Sequence, residues 1–422
     1  MSALDVDGMG ARRALAGIAD DLSDGDDLVV AHARAVWSCL VEPGDRIAGA
    51  LIAALGPVRA LEVAVASRGS GDEAARAGVE LAELAKARER WHPRGGDAPE
   101  RLATARRAGA RIVTPEDHAW PRRLDDLGPF APVCLWVLGD TAPLGSADPA
   151  VALVGARASS AYGNFVAEDL AAGAAAAGIA VVSGAAYGID GAAHGGALAA
   201  GGVTIALLAG GVERPYPAGH RDLLERIAAR GVVAAEVPCG ASPTKWRFLA
   251  RNRLIAAMTD ATVVVEAAWR SGALNTAHHA AALGRPLGAV PGAVTSATSA
   301  GCHRLLREAQ AECITGIADM CELLGLGAGL ELDGSTGADG AVGEGGGNVV
   351  GGVARRGADD RTRLLDALSE RSARTTLDIA RRAGLGPDDV AILLGLLELD
   401  GVAERRSGGW VRTKPPKTAP LW

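Results

Sequence analysis

The sequence predicts an α/β chain built on a doubly wound parallel sheet, and three observations carry that prediction. From residue 151 to 325, strand-like runs (VALVG, IAVVSG, TIALLAGG, VVAAEVP, ATVVVEAA, RPLGAVPG, ECITG) alternate with helical patterns such as RDLLERIAARG and HRLLREAQA. That order is expected of parallel strands joined by crossover helices. The runs are continuously apolar, so helices must cover both faces of the sheet. The stretch from Val151 to Ala197 reads as strand, Gly-Ala-Arg turn, small-residue helix, second strand and a Ser-Gly turn opening another helix.

Upstream, residues 1–108 hold ARRALAGIADDL, LVVAHARAVWSCLV, RIAGALIAALG and DEAARAGVELAELAKARERW. Apolar residues at three- and four-residue spacing make these short amphipathic helices of a small N-terminal domain, SAM-like or helix-hairpin-like. The Gly56-Pro57 turn fits an ordinary helix–helix connection better than a backbone clamp for nucleic acid, because no Lys or Gly-rich second turn accompanies it. The next domain spans 109–325. It opens on an extended lead-in, in which VCLWVLG is expected to add an edge strand.

Residues 326–358, beginning GLGAGLELDGSTGADGAVGEGGG, are too poor in large apolar residues to order themselves and are expected to be a flexible linker. Residues 359–413 then give three helical patterns, TRLLDALSE, TLDIARRAG and DDVAILLGLLELDG, followed by VAERRSGGWVRT as a two-stranded hairpin. That is the order of a winged helix. Residues 414–422 form a tail.

Composition narrows the function. Apolar residues make up 49% of the 422 and aromatics 3%, so the core is mostly Ala, Val and Leu. No apolar run is long enough to cross a bilayer, and the Asp-rich start has no basic-then-apolar signal pattern, which points to a cytoplasmic protein without a membrane partner. Six cysteines without C-x-x-C pairs, and widely spread His194, His278, His279 and His303, argue against metal sites. G-x-x-x-x-G-K-[ST], G-x-S-x-G and H-E-x-x-H are absent, and Gly155 to Gly163 does not have the G-x-G-x-x-G spacing. No catalytic residue, metal or cofactor is therefore expected. A net charge of −7 means that any nucleic-acid binding must come from a local patch.

The patch is sought at the sheet's carboxyl edge, where helix amino termini present unpaired N–H groups to anions. Arg157 supplies a cationic fork in the first turn, with Gly155, Ser183 and Gly184 as backbone that a phosphate can approach. In KWRFLARNRLIAAM, the cations Lys245, Arg247, Arg251 and Arg253 stand without an acid among them. Its apolar residues scatter around a helix axis, so a helix is expected to start near Asn252, with Arg251 and Arg253 at its positive end. Two readings of this segment stand: Phe248 as a base-stacking platform beside phosphate-binding cations, or a surface charge run with Phe248 in the core. Ser271 and Gly272 open a third such turn, where a plain helix cap is the alternative.

GAR followed by SGAAYGIDGAAHGGAL, then RFLARNRLIAAM, VVVEA, SGALNTA and LGRPLGAVPG, resembles the DprA/Smf family, DNA-processing or DNA-protecting proteins of bacterial transformation. The resemblance covers Ala110 to about Gly325. It implies an extended Rossmann-like sheet domain that dimerises, binds single-stranded DNA without catalysis, works beside single-strand binding protein and loads the RecA recombinase. By motif, Arg157, Lys245, Arg251 and Arg253 look like phosphate contacts, and Phe248 like the rest for a base. Two features depart from the pattern. Gly301-Cys302-His303 replaces a Gly-Thr-Asn or Gly-Cys-Asn, and the third helix of the winged unit, PDDVAILLGLLELD, has no Lys or Arg. Duplex reading through that helix is not expected; protein contact, or a weak contact through Arg405 and Arg406, is. The competing reading is a nucleoside-monophosphate phosphoribohydrolase with Glu266 as its acid, against which stands the missing P-G-G-x-G-T turn.

Overall fold

A computed structural model describes residues 8–19, 22, 24–66, 70–91, 98–327, 360–399 and 402–413. The expected linker, from residue 328 on, and the expected tail over 414–422 lie outside the described residues.

Helices open the chain: α1 (Gly8–Leu15), α2 (Gly25–Leu40), α3 (Arg46–Leu55), α4 (Pro57–Val65), α5 (Gly71–Arg76), α6 (Leu81–Trp91) and α7 (Ala98–Ala108). Asp45 caps α3, its carboxylate accepting from the N–H groups of Ile47 and Ala48. Gly56, at φ 76°, ends α3, and Pro57 begins α4 at once, so this turn is an ordinary helix–helix connection.

The sheet follows: β1 (Arg111–Val113), β2 (Leu135–Gly139), α8 (Ala142–Ser146), β3 (Ala150–Val154), α9 (Ala161–Ala176), β4 (Ala180–Ser183), α10 (Ile189–Ala199), β5 (Thr204–Leu208), α11 (Arg221–Arg230), β6 (Val232–Ala235), α12 (Lys245–Ala257), β7 (Ala261–Val264), α13 (Ala273–Ala282), β8 (Leu287–Ala289), α14 (Ala300–Glu308), β9 (Glu312–Cys313) and α15 (Ile317–Leu323). Its order is β1-β2-β6-β5-β4-β3-β7-β8-β9, with the pairs β1–β2 and β2–β6 antiparallel and the remaining neighbours parallel. The strand order reverses between β3 and β7, which makes their carboxyl ends the topological switch point where open α/β sheets bind ligands. VCLWVLG does form β2, but inside the sheet, because the short run Arg111–Val113 pairs outside it as the edge.

Strand parity sorts the core. Ala152, Val154, Val182, Ile205, Leu207, Ala234 and Val264 face one layer, packed by Leu254, Ile255 and Ala257 of α12 and by Ala277 of α13. On the other face, Val151, Leu153, Val181 and Val263 meet α9 and α10 through Leu170, Ala174, Ile189 and Ala193. The same face of β2, β5 and β6, through Trp136, Ala206, Leu208, Val233 and Ala235, joins one continuous core with Trp37, Leu40, Leu51 and Leu84 of the N-terminal helices. Those helices thus have a core merged with the sheet, because Trp136 points at them and its Nε1 donates to Ser38 Oγ.

The last unit has a helix over residues 360–367 (α16), then α17 (Thr376–Ala383), α18 (Pro387–Leu399), β10 (Ala403–Arg406) and β11 (Gly409–Arg412). The two strands pair antiparallel, and Arg374 bridges to Trp410, giving a winged helix around Leu364, Ile379, Val390 and Leu394.

Candidate functional site

Four chain segments meet beyond the carboxyl ends of β3, β4 and β5. The turn after β3 carries Arg157, exposed, and Ser160, which caps α9 by accepting from the Gly163 N–H. Helix α12 brings Phe248 alongside: the Arg157 guanidinium carbon lies 4.8 Å from the Phe248 ring centroid, and that of Arg251 5.9 Å. Tyr216, from the loop after β5, tilts against the same ring at 5.6 Å. A half-buried phenyl ring held between two guanidinium groups and a phenol is a preorganised aromatic and cationic platform. It borders a cavity of about 230 Å³ that Arg157, Gly184, Tyr187, Tyr216 and Phe248 help to line.

Arg251 is buried, and its Nη1 donates to the Leu207 carbonyl at 2.7 Å. Burial pushes its guanidinium down to about 10, Asp190 pulling upward and Arg157 adding to the fall, so it stays charged at neutral pH. Burial likewise raises the Asp190 carboxyl, against the pull of Arg251 and then Arg157. A cation thus sits below the platform with a carboxyl group as its counterweight.

The residues expected in the site divide into several groups. Arg157, Phe248 and Arg251 come together, and Gly184 lies beneath Arg251, so close that a Cβ there would overlap its Nη1. Gly184 makes room for the guanidinium and also borders the cavity. Gly155 is likewise closed, since a Cβ there would lie 2.5 Å from Ile189 Cγ1. Ser183 is buried, its Oγ donating to the Leu153 carbonyl at 2.6 Å.

Helix α12 starts at Lys245 with Thr244 as its cap, accepting from the Arg247 N–H, and not near Asn252. Asn252 instead donates through Nδ2 to Gly272 O and Asn275 Oδ1, tying α12 to α13. Arg253 turns away altogether. It makes a two-pronged buried pair with Glu236 at 2.7 and 2.8 Å, and Nε donates to the Phe130 carbonyl. This corrects its expected place beside Arg251: two positions apart on a helix, the side chains point to different faces. Lys245 is exposed at the first residue of α12, and Ser271 and Gly272 precede α13; these three do not line the cavity. Ser271 Oγ accepts from the Ala273 N–H at 3.3 Å in the turn that leads into α13, whose cap position is Gly272.

Glu266, at the switch point, is fully engaged. Its carboxylate accepts from the Ser160 N–H at 2.8 Å, from Ser160 Oγ at 2.6 Å and from Thr298 Oγ1 at 3.0 Å. His194 is buried, with Nδ1 2.7 Å from Thr204 Oγ1, and burial pushes it down to about 3. Among the described residues, no group of three or more His, Cys, Asp or Glu could hold a metal ion, and no helix is long and apolar enough to cross a membrane.

Sequence reasoning passed over Tyr187, Tyr216 and the 76%-exposed Trp246. The rarity of the type was the available signal, for the chain holds only three tyrosines. It gave the winged unit a role in protein contact or through Arg405 and Arg406, and did not place Asp366, Arg374 and Arg382, which line the same cavity.

Comparison with known proteins adds two domain matches. Residues 111–325 match the family model described as DNA recombination-mediator protein A, and residues 353–409 that of the DprA winged helix domain. The chain is 44% identical over 397 residues to the putative DNA processing protein DprA of Mycobacterium tuberculosis, covering 90% of this chain and 94% of that one. It is 31% identical to the DNA processing protein DprA of Bacillus subtilis, covering 58% of this chain and 81% of the relative. Among solved structures, DprA from Streptococcus pneumoniae superimposes with a TM-score of 0.56 at 30% identity, covering 68% of this chain and 95% of the other.

Proposed function

Since this chain belongs to the DprA family of DNA-processing proteins, we propose that its platform at the sheet's carboxyl edge binds single-stranded DNA without reading sequence. The observation that carries this reading is Phe248 flanked by Arg157, Arg251 and Tyr216. An aromatic face accepts any base, and guanidinium groups beside it accept any phosphate, so neither contact distinguishes one base from another. Lys245, at the amino end of α12, would extend the track for the backbone. Arg253 has no part in it, because Glu236 already neutralises it.

The protein acts as a cytoplasmic carrier of the strand and not as an enzyme. The bound strand is handed to the RecA recombinase, beside single-strand binding protein and by a homodimer of the sheet domain. The description of the family as a recombination mediator supports that role. The reading needs no cofactor. Glu266 is poorly suited to serve as a hydrolytic acid, since Ser160 and Thr298 already occupy its oxygens as it caps the β3 turn.

Fluorescence anisotropy of labelled oligo-dT, titrated with the whole protein at two salt concentrations and against a matched duplex competitor, tests the reading. Strand binding that weakens with salt and resists the duplex supports it; preference for the duplex, or no binding, rejects it.

A further inference from the structure

Resting on the strand-binding reading above, we propose that the winged-helix unit is a displaceable cover on that rim. Asp366 holds it there, in an anion seat that a backbone phosphate takes when a strand binds.

The seat is built from the sheet domain. Asp366, on α16, accepts from the Ala218 N–H at 2.8 Å and from the Tyr187 hydroxyl at 3.2 Å through the same carboxylate oxygen. The Gly219 N–H donates to that hydroxyl at 3.2 Å, which leaves the phenol proton for the carboxylate. Two further contacts hold the unit in place. Arg363 lies over the Tyr187 ring, 4.7 Å from its centroid, and Gly384 closes on Arg157 so tightly that a Cβ there would sit 2.5 Å from the Arg157 carbonyl oxygen.

Charge marks the seat as one for an anion. Arg157 is the sheet domain's own cation on the cavity wall, Arg374 and Arg382 come with the winged unit, and Asp366 is the single carboxylate among the lining residues. A carboxylate and a phosphate offer the same acceptor oxygens and the same sign to these donors. Volume decides between a cover and a clamp. The space left is about 230 Å³, below the roughly 300 Å³ at which pockets for even small organic ligands begin. A strand of several nucleotides therefore cannot thread past Phe248 while the winged unit stays docked, and binding must lift it.

The test uses the whole protein. Hydrogen exchange measured with and without saturating oligo-dT should show faster exchange across residues 360–383 as the cover lifts, and slower exchange around Arg157 and Phe248. Asp366→Ala should bind oligo-dT about fivefold or more tightly, as expected when a covered state that dominates the population is removed. Glu404→Ala, the same charge change on the outer hairpin, should stay within about twofold. Slower exchange over 360–383 on adding the strand would mean a clamp and overturn the cover, as would an Asp366→Ala affinity no better than that of Glu404→Ala. If the unmodified protein fails to bind oligo-dT at all, the strand-binding reading itself falls and takes the cover with it.

Discussion

The guanidinium of Arg251 lies directly across Gly184, occupying the space where any other residue would place its Cβ. The absent side chain lets a buried cation reach the Leu207 carbonyl and stand under Phe248. Gly184→Ala must push Arg251 off that path, and overpacking of this kind costs about 1–3 kcal/mol. We expect a lowered urea midpoint together with weaker oligo-dT binding. In the Gly184→Ala, Arg251→Ala pair the second change should cost less than it does alone, because the clash is gone; additive losses in chemical denaturation would separate the two residues.

Arg253 and Glu236 form a pair whose side chains are only 8% and 10% exposed. Glu236 also accepts from the Gly44 N–H, so the pair joins the N-terminal helices to the sheet. Removing one partner of a buried pair strands a charge, at about 3–5 kcal/mol. Glu236→Ala should lower stability by that order in equilibrium unfolding. The salt dependence of strand binding should not change with it, and a changed salt slope would return Arg253 to the strand.

His194 is held neutral by burial, at about 3 in the folded chain against an ordinary 6.5. Its folded value lies below its unfolded one, so its contribution is complete above pH 6.5. It is lost as pH falls toward 3, because only the unfolded chain takes up the proton there. The slope approaches about 1.4 kcal/mol per pH unit for one proton. His194→Asn should therefore lose less stability than the parent between pH 6.5 and 4. Parallel curves of unfolding free energy against pH would contradict the burial.

The parallel sheet, its strands and the winged unit were legible because their apolar runs have the right length and period. The face of α12 was not. Its buried residues Arg251, Asn252 and Arg253 are polar and each hydrogen-bonds inside the fold, so hydrophobic spacing misplaced the helix start by seven residues, at Asn252 instead of Lys245. Ser183 and Gly155 looked available because they stand at turns, but their neighbours come from β3 and α10, contacts no local pattern reveals. The meeting of Asp366 with Tyr187 spans 179 residues of chain and leaves no trace in either segment.

Phe248→Ala removes the ring between Arg157 and Arg251. Losing a stacked base should weaken oligo-dT binding by about 1–3 kcal/mol while leaving the salt slope in place, because no phosphate contact goes with it. Anisotropy titrations across salt separate the two effects, and a changed slope would take Phe248 out of the stacking role.

The most direct test is the salt dependence of oligo-dT affinity for the parent protein and for Arg157→Ala. If Arg157 neutralises a backbone phosphate, the log–log slope flattens by about 0.7 in the variant and affinity falls alike for every strand sequence tried. An Arg157→Ala slope identical to the parent's would contradict the placement of the strand on this rim.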